Sequence, residues 1–464
     1  MPLYCSFINR FCLTETAVAA SIPYYESQSR LSRQGDKTDI EGANSRPFAP
    51  RYSLEVTDKA SNVNNSFVGS LRVIHFSTGH AGGAGLAARR LNAELNENGI
   101  SSSFFALAQK SYFPDQNEFT IKRNILRRIS SIFLLWVQQN FSKRVLFSTL
   151  SSNAKSYRYF KSFQDTPGAI LHFHNWTNLI SENHLLKLCA RGSNVVITAH
   201  DERIATGGCH YKFDCMQISS GCTKCPLVEN AFQQRIVASS RRRKNDSIHR
   251  SQNSPWIVSP SRWIQEEIKR AGIFRPDKME FIPNTLGPKW NESGFSKEKV
   301  ESGKKILIGI ASMSTTSYVK AGDIVAQLLQ STELKNKGFE FLILNQIPDW
   351  NQKERFWKEI DCLLALTRAD NSPNVIWEAL SLKIPVISVN IGGIPEIGST
   401  NEIHLLSQPE DIFRFFQESN ERGAREFIQN ANFSKAKEIQ STGEAHKNLY
   451  LKILNQDLIG ENKF

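Results

Sequence analysis

The sequence lacks long apolar runs and compositional extremes. Its longest uncharged apolar stretch, residues 132–137, is far shorter than the roughly 20 residues that a membrane-spanning helix needs. No basic region opens the chain, and polar residues interrupt any hydrophobic signal core, namely Asn9, Arg10, Thr14 and Glu15. We therefore expect a cytoplasmic protein. With 40% hydrophobic and 22% charged residues over 464 positions, the composition excludes a disordered or collagen-like chain and favours two domains.

Acidic residues are scarce in one part of the chain. The formal charge is +12, yet residues 69–290 carry 30 Lys and Arg against 15 Asp and Glu, whereas residues 291–464 carry 20 against 23. A basic half suggests an anionic partner, which could be nucleic acid, an acidic membrane surface or a phosphate-bearing substrate. The alternative is that this charge only keeps the protein soluble.

Residues 1–68 show no sustained hydrophobic periodicity and end in a polar stretch, so we interpret them as a flexible N-terminal extension. A clear strand pattern starts at Leu71. One hypothesis is therefore that translation begins near Val68, and an intact mass that includes residues 1–67 in the native protein would reject it.

From Leu71 onward, short apolar runs alternate with turn residues and helical periodicity, which is typical of α/β domains with parallel sheets. A first domain, residues 69–290, has predicted strands at 71–76, 169–174, 195–200 and 256–259. A second domain, residues 304–434, has predicted strands at 305–310, 339–344, 362–366 and 385–389. Residues 284–304 form the predicted linker, and residues 435–464 are predicted to be a C-terminal helix that packs back on the rest.

A glycine loop, residues 79–85, separates the first predicted strand from a helix predicted at 84–98. Its backbone N–H groups and the helix dipole can bind an anion such as phosphate, with Gly82 and Gly83 as candidate contacts. The loop lacks a Walker Gly-Lys-Ser/Thr ending, and residues 104–110 lack the ribose-binding acid of a dinucleotide site, so NAD binding is disfavoured. The alternative is a tight turn without a ligand.

Two carboxylates, Asp370 and Glu378, bracket the start of a helix predicted at 374–382. The helix N-terminus offers free N–H groups to a diphosphate, and the carboxylates could accept hydrogen bonds from sugar and ribose hydroxyls. Taken alone, the simpler alternative is that Asp370 caps the helix and Glu378 is an ordinary helical residue.

The residues that follow overturn this alternative. The next strand ends in the loop Gly392, Gly393, Ile394, Pro395 and Glu396, and residues 370–396 together resemble the nucleotide-sugar-binding segment of family 4 glycosyltransferases. The resemblance spans about residues 70–455. The segments 172–175, 198–201, 206–210 and 222–226 are similar to bacterial exopolysaccharide (colanic acid) and lipopolysaccharide transferases.

This resemblance implies a GT-B fold, in which two Rossmann-like domains face each other across a cleft. It implies retaining transfer of a sugar from a nucleotide-sugar donor, held by the C-terminal domain, to a growing surface glycan, without a required catalytic metal. The chain indeed contains no Asp-x-Asp triplet of the metal-dependent type. The basic N-terminal domain would meet a lipid-linked acceptor at an anionic membrane, placing the protein peripherally at the inner face of the plasma membrane.

The resemblance also implies roles for individual residues. Lys320 matches a phosphate-binding lysine, Glu378 a ribose-binding glutamate and Asp370 the acid nearest the donor sugar. His200, with Asp201 orienting it or binding the acceptor, is the candidate polar group near the reacting sugar; the alternative is a hydrogen-bonded histidine at a strand end. The predicted catalytic residues are thus His200, Asp201, Asp370 and Lys320. The predicted donor-binding residues are Gly82, Gly83, Lys320, Asp370, Asn371, Asn374, Glu378, Gly392, Gly393 and Glu396.

Four of the eight cysteines lie close together in a loop at residues 206–226, namely Cys209, Cys215, Cys222 and Cys225. This density suggests a structural zinc site that shapes the loop. Disulfides, which a cytoplasmic setting opposes, and four reduced thiols are the alternatives.

Two basic segments have open interpretations. Residues 122–136 combine basic and apolar side chains, so they could lie on an anionic membrane surface or form a core helix with a solvated end. The run at 241–244, Arg-Arg-Arg-Lys, could bind an anion but is more often a solvated face.

Two other functions compete with the transferase. The departures from the family pattern, Asp at 370, Lys383 before Ile-Pro-Val and no Lys or Arg at 311–316, leave open a degenerate homologue that binds sugar or nucleotide without turnover. A basic, zinc-containing nucleic-acid-binding protein is the second alternative. It gives no role to Asp370, Glu378 or Gly392, and no nucleic-acid-binding motif is visible, so no nucleic-acid partner is expected.

Overall fold

The computed structural model describes residues 71–107, 115–142, 146–164, 166–251, 253–291, 305–311, 317–344, 350–418, 423–433 and 442–461. The predicted N-terminal extension, the hypothesis about the start of translation, most of the predicted linker and residues 312–316 lie outside the described residues.

The first half of the described chain forms a seven-stranded parallel sheet in the order β3-β2-β1-β4-β5-β6-β7. Its strands are β1 Arg72–Ser77, β2 Ser101–Leu107, β3 Glu118–Ile121, β4 Ala169–Phe173, β5 Asn194–Thr198, β6 Trp256–Ser259 and β7 Met279–Phe281. The central strand β4 is buried along its whole length, as expected for a parallel sheet that is covered on both faces.

The second half forms a five-stranded parallel sheet in the order β12-β11-β10-β8-β9. Its strands are β8 Ile306–Ala311, β9 Phe339–Leu344, β10 Cys362–Ala365, β11 Val386–Val389 and β12 Ile403–Leu406. The sheet order confirms the prediction of two parallel α/β domains.

Helices connect and cover these strands. In the first half they are α1 Gly82–Glu97, α2 Ile125–Gln139, α3 Tyr157–Lys161, α4 Glu182–Ala190, α5 Ala231–His249, α6 Arg262–Ala271 and α7 Pro288–Asn291. In the second half they are α8 Gly322–Gln330, α9 Thr332–Asn336, α10 Trp350–Glu359, α11 Asn374–Ser381, α12 Ile412–Gln417, α13 Ala424–Asn430 and α14 Thr442–Glu461. Among the described helices, none has the length and apolar content to cross a membrane.

Helix α6 illustrates how local sequence sets these boundaries. The Ser261 side chain accepts a hydrogen bond from the backbone N–H of Ile264 at 3.1 Å, which satisfies one free donor of the first turn. Gly272 ends the helix with φ +64°, a left-handed conformation that glycine adopts without steric cost. Ser261 and Gly272 thus mark the two ends of this helix.

The last helix, α14, packs on the first sheet although it follows the second. Leu449, Tyr450 and Ile453 join an apolar cluster with Val73 of β1 and Ile170 of β4. The return of the chain is therefore part of the first domain's core.

Four strands were missed by the sequence analysis: β2, β3, β7 and β12. The sequence of β2 begins Ser-Ser-Ser, and β7 has only three residues, so neither shows a clear apolar run. The predicted end of the glycine loop at Gly85 is wrong, because helix α1 already begins at Gly82.

Candidate functional site

A cavity of about 510 Å³ lies between the two halves and is lined by both. We call it the cleft cavity. Its walls include residues just after β1 and β5 and residues at or just after the carboxyl ends of β8, β9 and β10. Ligands of open parallel sheets bind beyond the carboxyl ends of the strands, so the fold places this cavity where a ligand is expected.

The structure brings nine predicted site residues together on this cavity. They are Gly82, Gly83, His200, Asp201, Lys320, Asp370, Asn371, Asn374 and Glu378. Gly392, Gly393 and Glu396 do not line it.

Two helix N-termini reach the cleft cavity, one from each half. Helix α1 begins at Gly82 after Ala81, and α11 begins at Asn374 after Pro373; neither cap residue provides a side-chain hydrogen bond. The first turn of each helix therefore keeps backbone N–H groups available to an anion, and the two dipoles favour negative charge. Gly85 is required here, because a Cβ atom at this position would lie 2.3 Å from the carbonyl oxygen of Gly79.

Lys320 lies on a turn that precedes α8. Arg368 holds this turn: its backbone N–H donates to the carbonyl of Val319 at 2.7 Å, and its guanidinium donates to the carbonyl of Tyr318 at 3.1 Å. Arg368 is itself paired with Asp323 and Glu410. The Lys320 ammonium donates to the Asp370 carboxylate, so the two predicted catalytic groups of the C-terminal half are in direct contact.

Glu378 is buried and pairs with a residue that the sequence analysis missed. The Arg90 guanidinium, on α1 of the other half, donates to Glu378 Oε1 at 2.5 Å. Lys353 of α10 also lines the cleft cavity, and burial lowers the pKa of its ammonium, with Arg90 and Arg89 acting in the same direction. Lys353 is thus a second lysine on the cavity wall besides Lys320, and Arg90 balances the charge of Glu378.

Several predicted donor-binding residues join the two halves of the protein. Asn371 Nδ2 donates to the carbonyl of Ala199 at 2.8 Å, and Asn374 Nδ2 donates to the carbonyl of Gly83 at 3.0 Å. The Glu396 carboxylate accepts from the backbone N–H groups of Arg262 and Trp263, both at 2.7 Å, at the start of α6. Donor contact by Asn371 and Asn374 stays a prediction, whereas these interdomain contacts are present in the structure.

Gly392 and Gly393 pack against the strand-to-helix loop that carries Asp370. A Cβ atom on Gly392 would lie 1.8 Å from the Asp370 carbonyl oxygen, and one on Gly393 would lie 2.1 Å from that of Asn371. Their contribution seen here is close backbone packing that fixes Asp370 and Asn371, and donor binding by these glycines and Glu396 stays a prediction.

His200 and Asp201 follow β5 and have different environments. Burial lowers the pKa of the His200 imidazole to about 4. Burial alone would raise the pKa of the Asp201 carboxyl, but His210 and Arg203 hold it well below its usual range. Asp201 Oδ2 lies 2.7 Å from His210 Nδ1, and Oδ1 accepts from the Arg203 backbone N–H at 2.9 Å. At neutral pH the cavity therefore contains a neutral imidazole beside a firmly held carboxylate.

The Cys-rich loop packs beside this pair. Cys209, Cys222 and Cys225 are buried in a small apolar cluster, and burial raises the pKa of the Cys225 thiol to about 11. All four cysteines are among the described residues, and no three of their sulfur atoms lie within 4.8 Å of one another. This arrangement does not fit a tetrahedral zinc site. Zinc binding stays a prediction, and no part of the proposed mechanism depends on it.

The basic run at 241–244 is not the solvated face that such runs usually form. Two of its members lie on the inward side of α5: the Arg241 guanidinium donates to the carbonyl of Ala271 at 2.5 Å, and the Lys244 ammonium donates to those of Arg203 and Thr206 at 2.7 and 3.0 Å. Because the run is helical, residues three apart share a face. Lys244 thus holds the loop that follows Asp201, whereas Arg241 contacts the C-terminal end of α6.

Comparison with known proteins gives one informative sequence relative and many structural ones. No family model matches the chain. It is 24% identical over 263 residues to WcaC of Escherichia coli (strain K12), which is named for a glycosyl transferase role in colanic acid biosynthesis. The match covers 49% of this chain and spans about three fifths of the length of that relative.

Among solved structures, WaaG, a glycosyltransferase involved in lipopolysaccharide biosynthesis, aligns over 82% of this chain and 99% of its own with a TM-score of 0.50 and 12% identity. The chain has a GT-B fold. The fold prediction and the resemblance to exopolysaccharide and lipopolysaccharide glycosyltransferases are both confirmed. Anabaena HepE in complex with UDP-glucose also aligns, over 85% of this chain and 100% of its own, at 11% identity and a TM-score of 0.43.

In GT-B terms, the cleft cavity lies at the interface of the two Rossmann-like domains. Sequence reasoning found the C-terminal residues of this interface because they form a compact motif at 370–396. It missed Arg90 and two residues that line the cavity, Lys353 and Tyr211. These three residues lie far apart along the chain and carry no motif of their own. Arg90 is 288 positions from its partner Glu378, so no local pattern could have indicated the pair.

Proposed function

We propose that this GT-B protein is a retaining glycosyltransferase that moves a sugar from a nucleotide-sugar donor to a growing surface glycan, an exopolysaccharide or lipopolysaccharide. The similarity to WcaC and the fold support transfer of a sugar in surface-glycan synthesis. The observation that carries the proposal is the convergence of two helix N-termini, Lys320, Asp370 and Glu378 on one interdomain cavity.

Each group has a chemical task in this proposal. The N-terminus of α11 and the Lys320 ammonium bind the donor diphosphate and stabilise the negative charge that develops as it leaves, a task for which preorganised donors are well suited. Glu378 accepts a hydrogen bond from the ribose, and Asp370 from the donor sugar. His200 and Asp201 contact the reacting sugar and the acceptor from the N-terminal side.

The donor site is tested first by calorimetry with UDP, GDP, ADP and CDP and their common sugar conjugates. We expect selective binding of one nucleotide and at least tenfold weaker binding by Glu378→Gln, because the neutral amide is a poorer acceptor than a carboxylate. Glutamine is used because alanine would leave the buried Arg90 guanidinium without a partner.

The matched control for this experiment is Glu402→Gln. Glu402 is also a buried acid of the C-terminal domain, but it accepts hydrogen bonds from Ser399 and does not line the cleft cavity. Unchanged affinity in Glu378→Gln would reject the ribose assignment. If no nucleotide binds while RNA or DNA does, with a steep salt dependence, the nucleic-acid alternative is correct. Binding without hydrolysis or transfer would favour the degenerate homologue.

We propose further that the acceptor is lipid-linked and that α2 contacts the membrane that carries it. The apolar side chains of α2 are exposed, which opposes the core-helix alternative; they include Ile125, Leu126, Ile129, Ile132, Phe133 and Trp136. Asn124 caps the helix by accepting from the Arg127 backbone N–H, and Arg128 is exposed beside the apolar residues. A basic and apolar helix of this kind binds anionic lipid surfaces.

In flotation assays we expect the protein to bind vesicles that contain anionic lipid and to bind zwitterionic vesicles weakly. The double substitution Phe133→Ser with Trp136→Ser should reduce anionic-vesicle binding at least fivefold, because it removes two large side chains from the apolar face. Phe232→Ser, at an even more exposed aromatic residue on α5, is the control and should leave binding unchanged. Equal losses in both variants would contradict a specific role for α2.

A further inference from the structure

One face of the first sheet changes from apolar residues to imidazoles as its strands approach the cleft. Along β1, Leu71 and Val73 precede His75; along β4, Ile170 precedes His172, and His174 follows that strand. In the sheet register His75 is beside His172, so these side chains share a face. His75, His172 and His174 are all buried, and α14 covers this face with His446 and Tyr450.

Two of these rings, His75 and His174, form a hydrogen-bonded chain with His200 that ends at the cleft cavity. His75 Nδ1 lies 3.0 Å from His174 Nε2, and His174 Nδ1 lies 3.1 Å from His200 Nε2. We call His75, His174 and His200 the histidine chain. His172 stands beside it, with its two nitrogens 2.8 Å from the Tyr450 hydroxyl and 2.7 Å from the Thr198 hydroxyl.

The direction of the N–H groups along the histidine chain follows from its buried end. Burial lowers the pKa of each of the three imidazoles, so each ring is neutral and carries one N–H. Within the described part of the protein, His75 Nε2 is buried and has no hydrogen-bond partner. If the chain ran from His200 towards His75, this atom would be an N–H donor without an acceptor, which is rarely left buried.

The opposite direction avoids that cost. His75 then donates from Nδ1 to His174, and His174 donates from Nδ1 to Nε2 of His200. His200 must carry its own proton on Nδ1, the ring nitrogen that remains for a bound molecule. A neutral imidazole in this form donates a hydrogen bond from Nδ1 and cannot accept a proton there.

We propose that His174 and His75 are positioning residues that hold His200 in the Nδ1–H form, so that His200 acts on the donor sugar as a hydrogen-bond donor rather than as a base. The tautomer assignment follows from the ring contacts and from the neutral state of the buried rings, while the effect on turnover rests on the glycosyltransferase function proposed above. The two parts are therefore tested by different measurements.

The alternative function of these histidines is to bind a buried metal ion. His75, His172 and His174 have ligand atoms within 4.8 Å of one another, the one such group of His, Cys, Asp and Glu among the residues described. Five of their six ring nitrogens, however, already have hydrogen-bond partners. A metal would have to break several of these bonds, so the geometry favours the hydrogen-bonded chain.

The tautomer is measured by long-range ¹H–¹⁵N NMR of the full chain with ¹⁵N-labelled histidine. The chain contains ten histidines. The His200 signals are assigned by their loss in His200→Asn. We expect a protonated Nδ1 and an unprotonated Nε2 for His200. A protonated Nε2 overturns the proposal, and so does stoichiometric binding of added Zn²⁺ or Co²⁺ that His75→Gln abolishes. Neither result depends on donor binding or turnover.

The effect on the reaction is measured by comparing two substitutions at one position. His174→Asn keeps a donor near the place of Nδ1, whereas His174→Phe keeps the ring shape without one. We expect His174→Phe to lower kcat at least tenfold with nucleotide affinity unchanged, and His174→Asn to retain most of kcat. Equal kcat in folded His174→Phe and the native protein would overturn the positioning role. If no variant or native protein transfers sugar, the proposed function fails while the NMR result still decides the tautomer.

Discussion

The protein is expected to lose stability steeply as the pH falls below about 6.5. Burial lowers the pKa of five imidazoles at the contact between the first sheet and α14, to about 3 for His75 and about 4 for His200 and His446, and well below the usual value for His172 and His174. In the unfolded chain these groups bind protons near pH 6.5. Between pH 6.5 and about 4, the unfolded state therefore binds more protons than the folded state. The free energy of unfolding consequently decreases as the pH is lowered through this range.

The size of this effect follows from the number of groups. Each proton taken up only by the unfolded chain lowers the free energy of unfolding by about 1.4 kcal/mol per pH unit. Five groups acting together would remove roughly 7 kcal/mol per unit, against a total of about 5–15 kcal/mol for ordinary proteins. Glu202 acts in the opposite direction, because burial raises the pKa of its carboxyl to about 7 and so stabilises the folded state as the pH falls towards 4.5. The one proton that the folded state gains at Glu202 therefore opposes the five protons that the unfolded state gains at the histidines.

Urea unfolding between pH 8 and pH 5 measures this directly, since the slope of the free energy against pH counts the protons taken up. We expect a slope of about four protons near pH 5.5. His446→Asn should reduce the slope by about one proton, because asparagine can replace the Nδ1 donor that bonds the Thr442 carbonyl at 2.8 Å without titrating. His249→Asn, at an exposed position of α5, is the control and should leave the slope unchanged. A slope below two protons would contradict neutral burial of these rings.

Lys320→Ala is expected to slow sugar transfer by about 100-fold to 1000-fold, the range seen when one preorganised donor to a developing charge is removed. The Lys320 ammonium is 39% exposed and contacts Asp370 at the cleft cavity. Because more than a third of the Lys320 side chain is exposed, solvent screens this ion pair, and the variant should remain folded. The loss should appear mainly in kcat, because the charge on the leaving diphosphate grows between the bound state and the transition state.

Initial rates are measured with the donor that calorimetry identifies. The reaction is monitored by NMR, because the same spectra also report the anomeric configuration of the product. Retention is expected. Lys305→Ala is the matched control, since Lys305 is an exposed lysine of the same domain, paired with Glu340 away from the cavity. If Lys320→Ala transfers sugar at the native rate, the phosphate-binding assignment is wrong.

How much the sequence could predict depended on whether the information is local. The strand at residues 339–344 and the helix that begins at Asn374 were predicted correctly, since apolar runs and turn residues mark them within a few positions. Helix α11 and the loop at 392–396 were found together because they form one contiguous motif. By contrast, β12 and β7 are short edge strands whose pairing partners, not their own residues, define them.

The residues of the cleft also divide into those that a local motif predicts and those that only the folded structure brings together. Lys320 and Asp370 were predicted from motifs, and the structure places them in contact. The pairing of His174 with His75 joins strands whose histidines are 99 positions apart, and Tyr450 reaches His172 from the far end of the chain. Such contacts result from sheet order and from the return of α14, neither of which a motif encodes.

The contacts between the two halves have a kinetic consequence. Asn371, Asn374 and Glu378 already hold hydrogen bonds across the cleft, to Ala199, Gly83 and Arg90. We expect that a molecule which displaces these hydrogen bonds can enter only when the two halves separate, so that association would proceed through a transiently open state. The observed binding rate should then level off at high ligand concentration, at the frequency with which the halves part, and that plateau would be the same for every nucleotide offered.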